Sequence, residues 1–512
     1  MKNTFFWLLL LPLFLISPSY SYAAIKLPAI ISNNMVLQQK SKAALWGWAN
    51  VGEKVAITTS WNNKTINVTT DASGKWLSYV NTTKAGGPYT ITFRGTNQIK
   101  VDNVLLGEVW LASGQSNMEF FVGKMDNPSY TGVINYQQEI KEANFPNIRM
   151  IDVANKVADE PQTDFVGAWK VCSPQTVDTF SAVAYYFAKE IHQATGFPVG
   201  IINSTWGGTP AESWTKKEVL ENDDELKPIL TRYVEQVKNF PKASEEYKVA
   251  HERWKQDTSK NKAAAPAQPI GPTHHKSPYK LYNGMIAPLI PYTLRGVIWY
   301  QGESNAERAY QYRKLFPALI SSWRGDFNNA NLPFYFVQIS PHRSQNPEIR
   351  EAQLYTYQTV PHTGIVVTTD NGDSLDIHPR NKKLVGQRLS LWALHNEYGK
   401  KDIIYSGPLY KSMKVDGDKI RIQFNFTGGG LISKDGEELK EFTIAGEDQN
   451  FVPAKAKIGG DEVVVSSTQV KKPVAVRFAW RNIPGPNLYN KAGLPASPFR
   501  TDDWKVSTEG KN

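Results

Sequence analysis

The sequence predicts an α/β protein: a parallel sheet covered on both faces by helices, flanked in the chain by an N-terminal and a C-terminal β region. Three observations point there. Across residues 104–400, short apolar runs alternate with helical patterns, as in a parallel sheet buried on both sides. Residues 24–103 contain only short strand-like runs separated by Gly, Asn and Asp turns. Residues 401–512 return to short alternating runs before a Pro- and Asn-rich tail from Ile483 to Arg500.

The elements follow in order. The first 23 residues read as a secretory signal: Lys2 supplies the positive start, Phe5 to Ile16 the apolar stretch, and Ser21-Tyr22-Ala23 a small-x-small cleavage site. That stretch is too short for a spanning helix, which needs roughly 20 apolar residues, and no later segment is apolar and long enough. The expected product is therefore secreted or periplasmic. In the first β region, Ala43–Trp46, Lys54–Thr59, Thr65–Thr70 and Tyr89–Arg94 are candidate strands. In the α/β region, strands are expected near 108–113, 148–153, 198–203, 295–300, 333–340 and 364–370. Phe180, Val183, Ala184, Phe187, Ala188 and Ile191 recur at helical spacing, as do Leu384, Leu391 and Trp392. Residues 216–280 look like an insertion, helical and charged from Glu218 to Gln256. From Asp257 to Pro278 it is rich in Lys, Ala and Pro, a mobile linker or lid whose His274 and His275 are expected in solvent. Lys419–Phe424 and Glu462–Ser467 are strands of the last region.

Composition narrows the function. A chain of 512 residues, 41% hydrophobic, buries a large core and excludes disorder. The formal charge of +10 comes without a dense basic run carrying interleaved aromatics, so nucleic-acid binding is not expected. Cys172 is the one cysteine, so no internal disulfide forms.

In an open parallel sheet, ligands bind beyond the carboxyl ends of the strands. Four expected strand ends carry Gly114-Gln-Ser116-Asn117, Ser204-Thr-Trp206-Gly207-Gly208, Gln301-Gly-Glu303-Ser-Asn305 and Asn371-Gly-Asp373-Ser-Leu-Asp376-Ile-His378. These are the parts of acyl transfer. A serine needs a base to become nucleophilic at neutral pH, and an imidazole needs an orienting partner. A tetrahedral oxyanion needs donors, each worth about 3 to 4 kcal/mol of barrier. Ser116 is the candidate nucleophile and His378 the base, preferred over His342 because Asp376 and Asp373 precede it. The Ser116 N–H, Gly207 or Gly208, and the Asn305 amide are candidate oxyanion donors. His192 and His395 lie in helices and read as structural. Glu303 reads as an acid bracing its loop, since no second carboxylate marks a glycosidase pair. Asp370, Asp373 and Asp376 lack the alternate spacing of a calcium loop, so no metal is expected.

The four blocks, with Asn34-Met-Val-Leu-Gln38, Leu45-Trp-Gly-Trp48, Leu332-Pro-Phe-Tyr-Phe-Val-Gln338, Asn487-Leu-Tyr-Asn490 and Asp503-Trp504, resemble the sialate O-acetylesterase branch of the SGNH hydrolases across nearly all of the mature chain. The resemblance implies an SGNH-type three-layer α/β/α hydrolase domain with β-sandwich-like regions on either side. It implies a serine esterase that needs no cofactor and removes O-acetyl groups from sialic acids. Catalytic Ser116, His378 and Asp376 would act with an oxyanion hole of Gly207, Gly208 and Asn305. The superfamily places its acid three residues before the histidine. Here that position is Leu375, leaving Asp376, Asp373 or a backbone carbonyl to orient His378. Trp206, Gln301 and Arg380 are candidate substrate contacts. The partner is an O-acetylated sugar or sialoglycan; acetylated hemicellulose is the alternative substrate, and a non-catalytic glycan-binding surface protein the alternative class. Asn203-Ser-Thr205 is formally a glycosylation acceptor, here at the rim of the expected site.

Overall fold

The computed structural model describes residues 24–127, 129–258 and 265–512; the expected leader, residues 1–23, lies outside them. The N-terminal region builds β1 (Val36–Gln38), β2 (Lys42–Trp48), β3 (Lys54–Thr59), β4 (Lys64–Thr69), β5 (Lys75–Asn81) and β6 (Gly86–Arg94). β2 and β5 pair antiparallel, and β4, β3 and β6 form a second sheet. Trp76 of the first meets Phe93 of the second at 5.7 Å between ring centroids. The expected strand ends here differ from the observed ones by a few residues at most.

A single strand, β7 (Gln98–Gly114), carries the chain from this region into the next. Its first part pairs antiparallel with β6 and, apart from buried Val101, is exposed or half-buried; from Val104 onward every residue is buried. The change follows from position. An outer antiparallel strand has one wet face, whereas a central parallel strand has none. The expected boundary between 103 and 104 therefore falls inside an unbroken strand, at the residue where its surroundings change.

The rest of the sheet is β8 (Phe145–Asp152), β9 (Trp169–Cys172), β10 (Val199–Thr205), β11 (Gly296–Tyr300), β12 (Phe334–Val337) and β13 (Thr363–Val366). Their order is β13-β12-β11-β7-β10-β8-β9, with all pairs parallel except β8 and β9. The helices are α1 (Ser116–Glu119), α2 (Tyr136–Glu142), α3 (Ala182–Thr195), α4 (Lys217–Glu221), α5 (Lys227–Gln256), α6 (Ala309–Asp326), α7 (Pro347–Thr359) and α8 (Lys382–Asn396). The apolar stripe of α3 is buried, and the helix is capped by the Ser181 hydroxyl and ended by Gly196 at φ +72°. Trp110 of β7 packs edge-on against Phe187 of α3 and close to Tyr335 of β12. The insertion is largely α5, and its last part docks on the α/β region instead of standing in solvent: Ser277 and Lys280 are buried, and Lys280 bonds the Pro272 carbonyl. The C-terminal region adds small sheets, including Leu409–Asp416, Lys419–Asn425, Glu462–Ser466 and Lys455–Gly459. It closes onto α7, where Ser507 and Thr508 hold the Glu348 carboxylate.

Candidate active site

β7 ends at Gly114, whose φ is +136° and whose position leaves no room for a Cβ, since one would lie 2.2 Å from the Tyr300 carbonyl oxygen. Only glycine fits this approach of two neighbouring strands. The chain then turns into α1, whose first residue is Ser116. From the other side of the sheet, the loop after β13 carries His378 toward it. Asp370 anchors the start of that loop in a bidentate pair with Arg388 of α8, at 2.7 and 2.8 Å. His378 Nε2 lies 2.8 Å from Ser116 Oγ, across 262 residues of sequence. The pair faces a cavity of about 510 Å³ lined by Gln115, Glu119, Tyr130, Trp206, Gly207 and Gly208 among others. Burial, followed by the charge of Lys382, pushes the His378 imidazole down to about 4, so it is neutral at pH 7 and free to accept a proton.

The other expected residues fall differently. Asp376 Oδ1 accepts the backbone N–H of His378 at 2.8 Å, but stands 3.9 Å from the ring Nδ1, with its side chain half exposed. One residue of missing spacing turns the carboxylate onto the backbone instead of the imidazole. Asp373 is likewise spent on the N–H groups of Leu375 and Asp376. Gly207 and Gly208 both line the cavity, yet the Gly207 N–H donates to Glu119 Oε2 at 2.8 Å. Asn305 is buried away from the cavity. Its Oδ1 accepts from the Ala211 N–H and Gln301 Nε2, and its Nδ2 donates to Glu212. Gln301 is fully buried in the same network, so it is no substrate contact. Arg380 is turned to the carbonyls of Gly132 and Val133. Trp206 does line the cavity, and His275 stacks on it at 5.2 Å with His274 stacked behind. Those two histidines, expected in solvent, are instead packed against the site. Asn203 is buried within β10, its amide held by Asp152, so the sequon is a strand residue and not a rim acceptor.

Three groups escaped the sequence reading. Glu119, one turn after Ser116, accepts from the Tyr130 hydroxyl as well as Gly207, and burial raises its pKa; its spacing on α1 was the available signal. Lys276, from the insertion, brings its Cε to 3.8 Å of the place where a Cβ on Gly208 would sit. Lys382, at the start of α8, is fully buried beneath the Ser116 turn and bonds Asn117 Oδ1. Glu303, expected to brace its loop, is buried at the cavity wall and accepts from Asn117 Nδ2 at 2.6 Å, which ties it to the Ser116 turn. Among the described residues, no cluster of three or more His, Cys, Asp or Glu is arranged to hold a metal ion.

A covered α/β sheet with a serine hydroxyl and a neutral imidazole meeting at the carboxyl ends of its strands belongs to a carboxylic ester hydrolase. The family model described as carbohydrate esterase, sialic acid-specific acetylesterase matches residues 106–269 and 262–394. The sialate O-acetylesterase of Rattus norvegicus is 29% identical over 92% of this chain and 93% of its own, and that of Homo sapiens 28% identical over 96% and 95%. The crystal structure of a carbohydrate acetylesterase from Xanthomonas citri superposes with a TM-score of 0.79 at 35% identity, covering 94% of this chain and all of the other. The chain belongs to the sialic acid-specific acetylesterase family of carbohydrate esterases.

Proposed function

We propose that this protein removes O-acetyl groups from sialic acids through an acetyl-Ser116 intermediate. The 2.8 Å contact between Ser116 Oγ and His378 Nε2 carries the reading. Ser116 Oγ attacks the acetyl carbonyl carbon while its proton passes to His378 Nε2. The carbonyl oxygen becomes an oxyanion, for which we assign the Ser116 N–H, the Gly208 N–H and Gln115 Nε2 as donors: all three residues line the cavity, and none of these groups donates a hydrogen bond among the described residues. Gln115 is held for this by its own Oε1, which accepts the Ser304 N–H at 3.3 Å. His378 then protonates the departing sugar oxygen. Water, deprotonated by the same imidazole, attacks the acetyl-serine; acetate leaves and Ser116 recovers its proton.

Sialic acid carries a carboxylate. Among the described residues, no Lys or Arg lines the cavity itself, and Lys276, whose Cε comes within 3.8 Å of the space beside Gly208, is the cation we assign to that group. The leader-like pattern of residues 1–23 supports export to the periplasm or outside the cell, and no helix of the described residues is long and apolar enough to cross a membrane. We assign residues 104–400 as the catalytic domain, 24–103 and 401–512 as its β companions, and 216–280 as an insertion that supplies the rim.

The test is hydrolysis of an aryl acetate by the wild type and by Ser116→Ala. Activity is expected in the first and none in the second; equal rates would remove the mechanism. Acetate release from O-acetylated sialic acid, measured beside acetylated xylan, reports the substrate, and a preference for xylan would move the reading to hemicellulose.

A further inference from the structure

Lys382 is the first residue of α8, where the helix dipole disfavours a cation, and its side chain is fully buried. A buried charge is costly unless it is paired, and burial accordingly lowers the Lys382 amine to about 7, so its charged form belongs to neutral and acidic pH. The ammonium donates to Asn117 Oδ1 and lies 4.7 Å from the Phe120 ring centre and 5.6 Å from that of Tyr300. Asn117 adjoins Ser116. Its Nδ2 donates to Glu303 Oε1 at 2.6 Å and to the Ile377 carbonyl at 3.0 Å, the residue before His378. One amide thus joins a buried ammonium, a buried carboxylate, the nucleophile's turn and the backbone that presents the imidazole. Asp376, the acid nearest the ring, makes no hydrogen bond to it and stands half exposed.

We propose that Lys382 is a positioning residue for the ester hydrolysis: through Asn117 it locks Ser116, Glu303 and the backbone ahead of His378 in one register, the task that Asp376 leaves undone. The proposal rests on Ser116 and His378 being the reacting pair. A second consequence follows from charge. The groups facing Lys382 are Glu303 from the turn after β11 and Asp376 and His378 from the loop after β13. Those facing His378 are Lys382, Asp376 and His342, with Tyr130 and Glu119 on the cavity side. After burial itself, the charge of Lys382 is the group in this set that most opposes protonation of the imidazole.

The experiment compares Lys382→Met, Asp376→Asn and Ser116→Ala on an aryl acetate from pH 3.5 to 9. Lys382→Met removes the charge and keeps the bulk. Its kcat is expected to fall about 100-fold, as for a displaced reacting group, with KM little changed. Its acidic limb is expected to move up by about one pH unit, because an imidazole freed of a neighbouring cation protonates more readily. Asp376→Asn, on an exposed loop, is expected to stay within about fivefold of wild type, the ceiling for an exposed ion pair. A folded Lys382→Met enzyme with unchanged kcat and acidic limb would overturn the proposal, as would an Asp376→Asn enzyme that loses activity 100-fold or more. If Lys382→Met does not fold, Asp376→Asn decides by the same limits. Activity surviving in Ser116→Ala identifies failure of the underlying reading instead.

Discussion

Replacing Asn305 with alanine separates two roles that sequence and structure assign to it. As an oxyanion donor, its loss would cost about 10²–10³ in kcat and leave the fold intact. The structure shows a different economy. The side chain is 2% exposed and makes three hydrogen bonds: from the Ala211 N–H at 2.9 Å, from Gln301 Nε2 at 2.7 Å, and to Glu212 Oε2 at 2.8 Å. Alanine strands all three partners. Gln301 Nε2 keeps a long bond to the Thr209 carbonyl, and Glu212 keeps Arg232 and Arg308 on its other oxygen, but the Ala211 N–H keeps nothing. At about 1–3 kcal/mol for each buried group left unpaired, and with two of the three partly compensated, the loss is about 3 kcal/mol of stability. Urea unfolding followed by tryptophan fluorescence, beside aryl acetate kinetics, measures both quantities. A marked drop in the unfolding midpoint is expected, and some loss of kcat follows because the bond to Ala211 ties down the chain just after Gly207 and Gly208. A midpoint equal to wild type, with kcat down 10²-fold or more, would refute the brace and restore Asn305 to the oxyanion hole.

Two further outcomes follow from the geometry. The imidazole of His378 is held down to about 4 by burial and by Lys382, so its active neutral form persists as pH falls; kcat/KM on an aryl acetate should stay level from neutrality to about pH 5 and drop through about pH 4, whereas a half-maximum near the ordinary histidine value of about 6.5 would contradict that environment. Lys276→Met should raise KM for O-acetylated sialic acid about tenfold, the scale of one charge-assisted contact, while leaving the aryl acetate unaffected; an equal effect on both would show that Lys276 supports the rim and does not read a carboxylate.

The chain order of strands and helices was legible because its signals are local. Period-2 runs mark the outer β regions, continuous apolar runs mark strands buried on both faces, and α3 shows its stripe and caps directly. The strand-end blocks were legible for the same reason, since a parallel sheet gathers whatever follows each strand. Those rules place Ser116 and His378 at one end of the sheet without saying how their side chains point. Direction is where reading from sequence stopped. Asn305 and Gln301 stand beside a cavity-lining segment but turn into the protein, because buried amides must find partners and theirs are Glu212, Ala211 and Thr209. Arg380 turns to carbonyls of a loop more than 200 residues away.

By itself, then, the order of residues determined a covered parallel sheet, the strand ends that carry chemistry and the family to which they belong, for all of these follow from periodicity and short motifs. Only the tertiary structure decided that Glu119 claims the Gly207 N–H, that the insertion folds back to lay His275 on Trp206, and that a lysine is buried beneath the reacting serine. Those outcomes depend on which polar groups meet once the chain is compact and water is gone, and no local pattern encodes that.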